Sequence, residues 1–344
     1  MKPYASIVRV GVDLSHSVIQ VHAVDVDGKV IAAKQLQRKE FLPWCSRLPK
    51  GTMVAMEASC ACHFWARRLQ ELNLSARLIS PTFVKPYRIN GDMAKNDAND
   101  AAAACEAASR PQMRFVPPKS PTQQAWLALH TLRTGYIKDR AACMNRVRSI
   151  LAEFGVLFPL SRVKFRDTLL EVVRSTDNDL PSLTRTALRR CFRHFQAIDS
   201  QVAWCDREIA RHVALDRNAK LAHSLPGVGA LGASAIAATV DDFKQFKNGR
   251  QFSAWLGLVP RQRSSGGKER LGAITKRGDV YLRRLLVTGA YAVLRDAPKH
   301  DDAISKWAIQ LRARVGNGKA AVAVANKNAR RIWRLLAHDG QEAG

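Results

Sequence analysis

Acidic residues are scarce in this chain. Its 344 residues include 29 Asp and Glu against 55 Lys and Arg, a formal net charge of +26 with a pI near 10.4. The excess points to a phosphate polyanion, since each Lys or Arg contact with a nucleic-acid backbone releases counterions. Long apolar runs are absent as well. None reaches the ~18 residues of a membrane span. No strongly amphipathic basic segment with Trp or Phe anchors stands out, so a membrane partner is disfavoured. The first residues, MKPYASIVRVGVDLS, lack a signal-peptide pattern and read as a strand. Cysteine is sparse and odd in number: seven scattered residues do not make a disulfide framework. The closest set, Cys60, Cys62 and His63, has no second ligand pair at zinc spacing. These absences describe a soluble, cytoplasmic protein that handles nucleic acid.

The length exceeds one ordinary domain, and 47% hydrophobic residues supply ample cores. The basic excess grows along the chain. Residues 1–110 hold 15 basic and 10 acidic residues, residues 111–215 hold 17 and 9, and residues 216–344 hold 23 and 10.

Three regions differ in pattern. In residues 1–120, SIVRVGVDLS is β-rich, and VIQVHAVDVDGKVIAAKQL carries a turn signal at Asp27-Gly28 between two β-rich runs, a hairpin. GTMVAMEASC is a short apolar strand ending at Glu57. ACHFWARRLQELNLSA has helical spacing, RLISP is a further strand, and a helix begins near Asp97. That order predicts an α/β domain. Residues 121–215 lose the strand signals and predict two or three long helices, a hairpin or coiled coil without clean heptads, interrupted at Pro159 and Pro181. Residues 216–344 predict a compact helical domain. Its LPGVGALGASAIAATV leads from a Gly-containing turn into an Ala-rich helix, and its RQRSSGGKERLGAITKRGD is a polar basic loop.

Carboxylates are the first candidates for chemistry. Asp97 and Asp100 stand three apart at the front of KNDANDAAAACEAASR, on one helix face about a turn apart. Asp13 and Glu57 close two strands, and strand C-terminal ends line the crevice where α/β sites assemble. Each has a plain alternative. Asp97 suits a helix cap, and Asp13 suits a cap on the following turn. Glu57 is harder to dismiss, because an isolated charge where GTMVAM enters the core costs several kcal/mol. If the helix covers that sheet edge, four carboxylates converge. Hard oxygen ligands of this kind hold Mg²⁺, which polarises a phosphodiester.

The loop around Ser264 and Ser265 sits among Arg261, Arg263, Lys268, Arg270, Lys276 and Arg277. From the residues alone it reads as a flexible phosphate-binding loop, with Gly freeing the backbone and basic side chains supplying charge. The turn Pro226–Gly229 is similar to a helix-hairpin-helix, whose Gly227 and Gly229 would let backbone N–H groups meet phosphate. An ordinary Gly-containing turn is the alternative. Trp126 and Trp255 suit the core better than base stacking.

GVDLS, AMEAS and KNDANDAAA resemble the Asp-Glu-Asp-Asp motifs of the DEDD insertion-sequence transposases, the bridge-RNA-guided recombinases of insertion-sequence family one-ten and its eleven-eleven branch. LPGVGALGASAIAA and FSAWLGLVPRQRSSGGKERLGAITKRGDVYLRRLL resemble their transposase domain. The likeness spans roughly residues 5–110 and 220–335; the central helices match only in kind. It implies a ribonuclease-H-like, RuvC-like domain over 1–120, a helical linker over 121–215 and a helical transposase domain over 216–344. It also implies Asp13, Glu57, Asp97 and Asp100 as catalytic, Mg²⁺-binding acids and Ser265 as nucleophile, with Ser264 the adjacent candidate. The implied partners are donor and target DNA, a structured non-coding guide RNA, and further copies of the chain in a dimer or tetramer with a composite site. RNA guidance comes from the resemblance alone. Two other functions stay open at this point: a RuvC-like junction nuclease that hydrolyses DNA, and a non-enzymatic nucleic-acid-binding protein.

Overall fold

A computed structural model describes residues 4–88, 96–158, 161–175, 179–263 and 270–338, with only the backbone of Arg162. The chain divides into two compact units, Met1–Ser120 and Pro121–Gly344. Sequence-predicted site residues Ser264, Ser265 and Lys268 lie outside the described residues, as does Pro159.

The first unit is built on one sheet. Strands β1 (Arg9–Leu14), β2 (Val18–Val24) and β3 (Val30–Gln37) form an antiparallel meander. Gly28 turns the predicted hairpin at φ +81°, a conformation glycine adopts without steric cost. A short helix α1 (Phe41–Cys45) leads to β4 (Met53–Glu57), which lies parallel to β1. Helix α2 (Cys62–Glu71) then crosses to β5 (Ser75–Ile79), parallel to β4. After α3 (Pro81–Val84) and α4 (Asp97–Ala108) the chain closes with β6 (Phe115–Val116), antiparallel to β5. The strand order across the sheet is β3-β2-β1-β4-β5-β6.

Alternation along β1 and β4 sorts two cores. Val10, Val12, Val54 and Met56 are buried against α1 and α2, with Phe41, Trp44, Trp65 and Leu69. The opposite face is lined by small residues. Ala55 packs with Ala103, Ala104 and Ala107 of α4. A Cβ at Gly11 would stand 2.0 Å from the Ala101 carbonyl oxygen and 2.5 Å from the Cys105 nitrogen. The alanine run is therefore more than a helix-forming preference: it lets α4 lie directly on β1 where only glycine leaves room.

The second unit is helical. Helices α5 (Pro121–Ala152) and α7 (Ser182–Leu215) pack along each other, and α6 (Arg162–Arg174) adds Phe165 and Leu169 to their core with Val147, Leu151, Leu188 and Phe195. Pro181 stands immediately before α7, as its interruption of the helical pattern predicts. A bundle follows: α8 (Arg217–His223), α9 (Ala230–Thr239), α10 (Gly249–Trp255), a β7 (Pro260–Gln262) and β8 (Leu271–Ile274) hairpin, then α11 (Val280–Asp296), α12 (Ala303–Val315) and α13 (Asn317–His338). The two short strands differ from the continuous loop read from the sequence; three- and four-residue runs are too brief to show alternation.

A buried polar chain ties the long helices to the bundle. His130 of α5 lies 2.9 Å from both the Tyr281 hydroxyl and Ser234 Oγ, and His212 of α7 lies 2.8 Å from the same Ser234 Oγ. Trp126 stacks on the His212 ring at 4.0 Å, an internal contact. Among the described residues no helix is long and apolar enough to cross a membrane.

Candidate active site

Strand pairing brings the first two acids together. Val12 of β1 stands opposite Met56 of β4 in parallel register. Asp13 and Glu57 are the next residues along the two strands, so both emerge at the same edge of the sheet. Ser15 closes the turn after β1, its hydroxyl donating to the Val18 carbonyl at 2.7 Å, so that turn does not depend on Asp13.

Helix α4 brings the other two. Its cap is Asn96, whose side chain accepts the Asn99 N–H at 2.8 Å. The capping role open to Asp97 in the sequence is thus filled by its neighbour. Asp97 begins the first turn and is exposed, whereas Asp100, one turn on, is buried. Because α4 sits on β1 at Gly11, its N-terminal turn is carried to the strand ends.

The electrostatics record the convergence. The Asp13 carboxyl is pushed up to about 6, first by burial and then by the negative charges of Asp97, Asp100 and Glu57; Arg88 acts in the opposite direction. Arg88 follows a 3-10 turn at Lys85–Tyr87. Its guanidinium NH2 donates to Glu57 Oε1 at 3.2 Å. Its Nε lies 2.7 Å from Asp100 Oδ1, a close ion pair without hydrogen-bond alignment. The Arg88, Glu57 and Asp100 side chains are only 12%, 16% and 9% exposed. Among the described residues, no three Asp, Glu, His or Cys side chains are already gathered as a ready metal-ligand group. The acids nevertheless suit a hard divalent ion by donor chemistry, and two of them already grip a cation, Arg88.

In the second unit the frame around the serine stretch is well fixed. Gln262 pairs with Leu271, and the Arg263 N–H donates to the Arg270 carbonyl at 2.9 Å. The hairpin root is locked by two glycines. A Cβ on Gly257 would stand 2.0 Å from the Arg277 carbonyl oxygen, and one on Gly278 would stand 1.8 Å from the Trp255 carbonyl oxygen. Both adopt positive φ, +72° and +96°. Buried Arg283 donates to the Leu256 carbonyl at 3.0 Å and stitches the same turns together. Arg261, Arg263, Arg270, Lys276 and Arg277 are all exposed around this root. Arg261 also donates to the Thr275 carbonyl.

Gly227 and Gly229 occupy the turn between α8 and α9 and differ in surroundings. Gly227, at φ +81°, meets Gly289 of α11 so closely that a Cβ would lie 2.9 Å from its carbonyl oxygen; a Cβ on Gly229 would meet nothing within 4 Å. Arg88, Asn96 and Arg283 were not singled out by sequence reasoning. Asn96 had a usable signal, an Asx residue directly ahead of the helix with its partner N–H three positions on. The two arginines had none.

Two family models match the chain. One, described as transposase of the DEDD IS110 type, covers residues 10–156, and one described as Transposase IS116/IS110/IS902 family covers residues 219–304. Among individual proteins, the chain is 45% identical to the "Probable family 20 transposase" of Pseudomonas aeruginosa, over 96% of this chain and 97% of the relative. It is 38% identical to the "Transposase for insertion sequence element IS1111A" of Coxiella burnetii, over 95% and 88%. It is 35% identical to the "Transposase for insertion sequence element IS1328" of Yersinia enterocolitica, over 94% and 95%.

Proposed function

From the premise that this chain belongs to the IS116/IS110/IS902 family of insertion-sequence transposases, a family of DNA-cutting enzymes, we propose that it cuts and rejoins DNA through a serine nucleophile aided by an acid cluster. The observation that supports the reading is the placement of Asp13 and Glu57 at the ends of neighbouring parallel strands, with Arg88 bridging Glu57 to Asp100 of α4. The strand order, three antiparallel strands followed by parallel β4 and β5, supports a RuvC-like domain.

In this reading the four acids would hold Mg²⁺, which would supply charge neutralisation at the scissile phosphate. Ser265 Oγ attacks phosphorus, loses its proton, and forms a phosphoserine ester as the departing deoxyribose oxygen takes up a proton. The bond energy stays in that ester, so a second strand's hydroxyl can displace serine and reseal the backbone without ATP. Arg261, Arg263, Lys268, Arg270, Lys276 and Arg277 hold backbone phosphates around the nucleophile. The turn at Gly227 and Gly229 offers a further phosphate contact. A structured guide RNA selects donor and target DNA, and a dimer or tetramer combines the acids of one subunit with the serine of another.

Ser265→Ala tests the chemistry. Were water the nucleophile, losing one hydroxyl would cost a hydrogen bond of about 0.5–1.5 kcal/mol, or roughly tenfold in rate. Loss of a covalent nucleophile should instead abolish cleavage. Wild-type protein stalled on nicked DNA should carry an adduct that mass spectrometry locates at Ser265, while Ser264→Ala stays active. Linear DNA as sole product, unaffected by Ser265→Ala, would select a hydrolytic nuclease instead.

A further inference from the structure

Arg88 stands between carboxylates of the first unit's site, and it holds two acids from different elements. Glu57 ends β4, and Asp100 lies in the first turn of α4. The guanidinium reaches both, at 3.2 and 2.7 Å, and all three side chains are largely withdrawn from water. Two carboxylates placed this way repel each other, and burial raises the cost of that repulsion. The Arg88 charge offsets it and keeps α4 and β4 in register at the site.

We propose that Arg88 is the resident counter-ion of the acid cluster, and that metal loading is an exchange in which the divalent ion takes Glu57 and Asp100 from the guanidinium. The proposal rests on the reading that the acids bind metal. It follows from occupancy. Mg²⁺ bonds its oxygen ligands at about 2.0–2.1 Å in near-octahedral geometry. Arg88 already takes Glu57 Oε1 and Asp100 Oδ1 as partners. One carboxylate oxygen cannot face both cations at those distances without strong repulsion between them. Arginine does not vacate by losing its proton, since it stays charged throughout the accessible pH range. Where the metal takes the oxygens that Arg88 holds, the guanidinium therefore withdraws as a charged group. Its planar fork matches phosphate oxygens, so the released guanidinium is delivered beside the place where the substrate backbone enters. Arg88 would thus act as a positioning residue: it preserves the empty site, weakens metal affinity, and makes loading depend on a second anion that receives the displaced charge.

The experiment titrates Mn²⁺ into metal-free full-length protein, following free Mn²⁺ by its paramagnetic resonance signal, with melting curves in EDTA alongside. Arg88→Gln removes the charge and keeps much of the length. It should bind Mn²⁺ at least about tenfold more tightly than wild type, since a unit charge a few ångströms away in a partly buried site outweighs a tenfold effect. It should melt lower in EDTA and recover on adding Mn²⁺. Arg88→Lys keeps the charge and should stay within about threefold of wild-type affinity. Equal or weaker binding by Arg88→Gln, with wild-type binding intact and lost in Glu57→Gln, would overturn the exchange and leave the metal reading standing. No Mn²⁺ binding by wild type or Arg88→Gln would overturn both. A measurement on wild type guards against misfolded variants. With ¹⁵N-labelled arginine, and the Arg88 Nε–H assigned by its loss in Arg88→Lys, that resonance should be protected in EDTA and lose protection as Mg²⁺ is added. An unchanged resonance at saturating Mg²⁺ would refute the exchange.

Discussion

Replacing Asp13 with asparagine should make the metal-free protein more stable, and only above the acid range. The Asp13 carboxyl is pushed from 3.8 to about 6, first by burial and next by Asp97, Asp100 and Glu57, against the opposing pull of Arg88. The native carboxyl therefore keeps its proton where the unfolded chain has lost it. Stability falls as pH climbs from about 4 to about 6 and stays at the lower level beyond. The full rise corresponds to about 3 kcal/mol at roughly 1.4 kcal/mol per pH unit. Asp13 is only half-buried, and screening by water leaves about 1–1.5 kcal/mol. Asparagine keeps the shape and removes the charge. At pH 8 in EDTA, Asp13→Asn should slow hydrogen exchange in β1 and α4 about five- to tenfold. At pH 4 the two proteins should exchange alike. Exchange that quickens at pH 8 would mean the carboxylate makes a stabilising bond, and a gain independent of pH would refute the electrostatic account.

Gly11→Ala sets a methyl 2.0 Å from the Ala101 carbonyl oxygen. Displacing α4 should cost at least the about 1–3 kcal/mol of ordinary overpacking and abolish DNA cleavage, read by melting and by a nicking assay. Gly278→Ala meets the Trp255 carbonyl oxygen at 1.8 Å and a positive φ. It should abolish cleavage while hydrogen exchange in β1–β5 stays unchanged. His130 is held down at about 4, chiefly by burial and then by His212 and Arg133. It stays neutral in the fold where the unfolded chain is protonated, so the second unit should lose stability as pH falls from about 6.5 to about 4. His130→Gln should flatten that fall in urea titrations. Affinity for DNA should drop steeply with salt, with a log-log slope of about −0.9 per phosphate contact; a flat response would rule out backbone-dominated binding.

The acid cluster was legible because its parts obey local rules. Val10, Val12, Val54 and Met56 alternate as strands should, and Asp13 and Glu57 stand where that alternation ends. The alanine run marks α4 without reference to anything else. The close approach of α4 at Gly11 was not legible, since a glycine in a strand signals only that something comes near. Arg88 was hidden for a different reason. It stands alone in KPYRINGD with no periodicity, and its partners belong to other elements. The chain from Tyr281 through His130 and Ser234 to His212 likewise gathers four separate elements, and no spacing in the sequence relates them.

The seat of α4 on β1 also sets when a newly made chain can gather all four acids. Asp13 and Glu57 leave the ribosome early, on strands that can pair as soon as β5 has followed them. Asp97 and Asp100 arrive later and mean little until Ala101 and Cys105 close over Gly11, one of the most non-local contacts in the unit and so among the slower to form. Synthesis runs at about 5–20 residues per second. For several seconds a nascent chain therefore holds half of its acids and no helix to complete them. A truncated product ending before residue 97 would retain strands β1 and β4 with Asp13 and Glu57, but not the helix that brings Asp97 and Asp100.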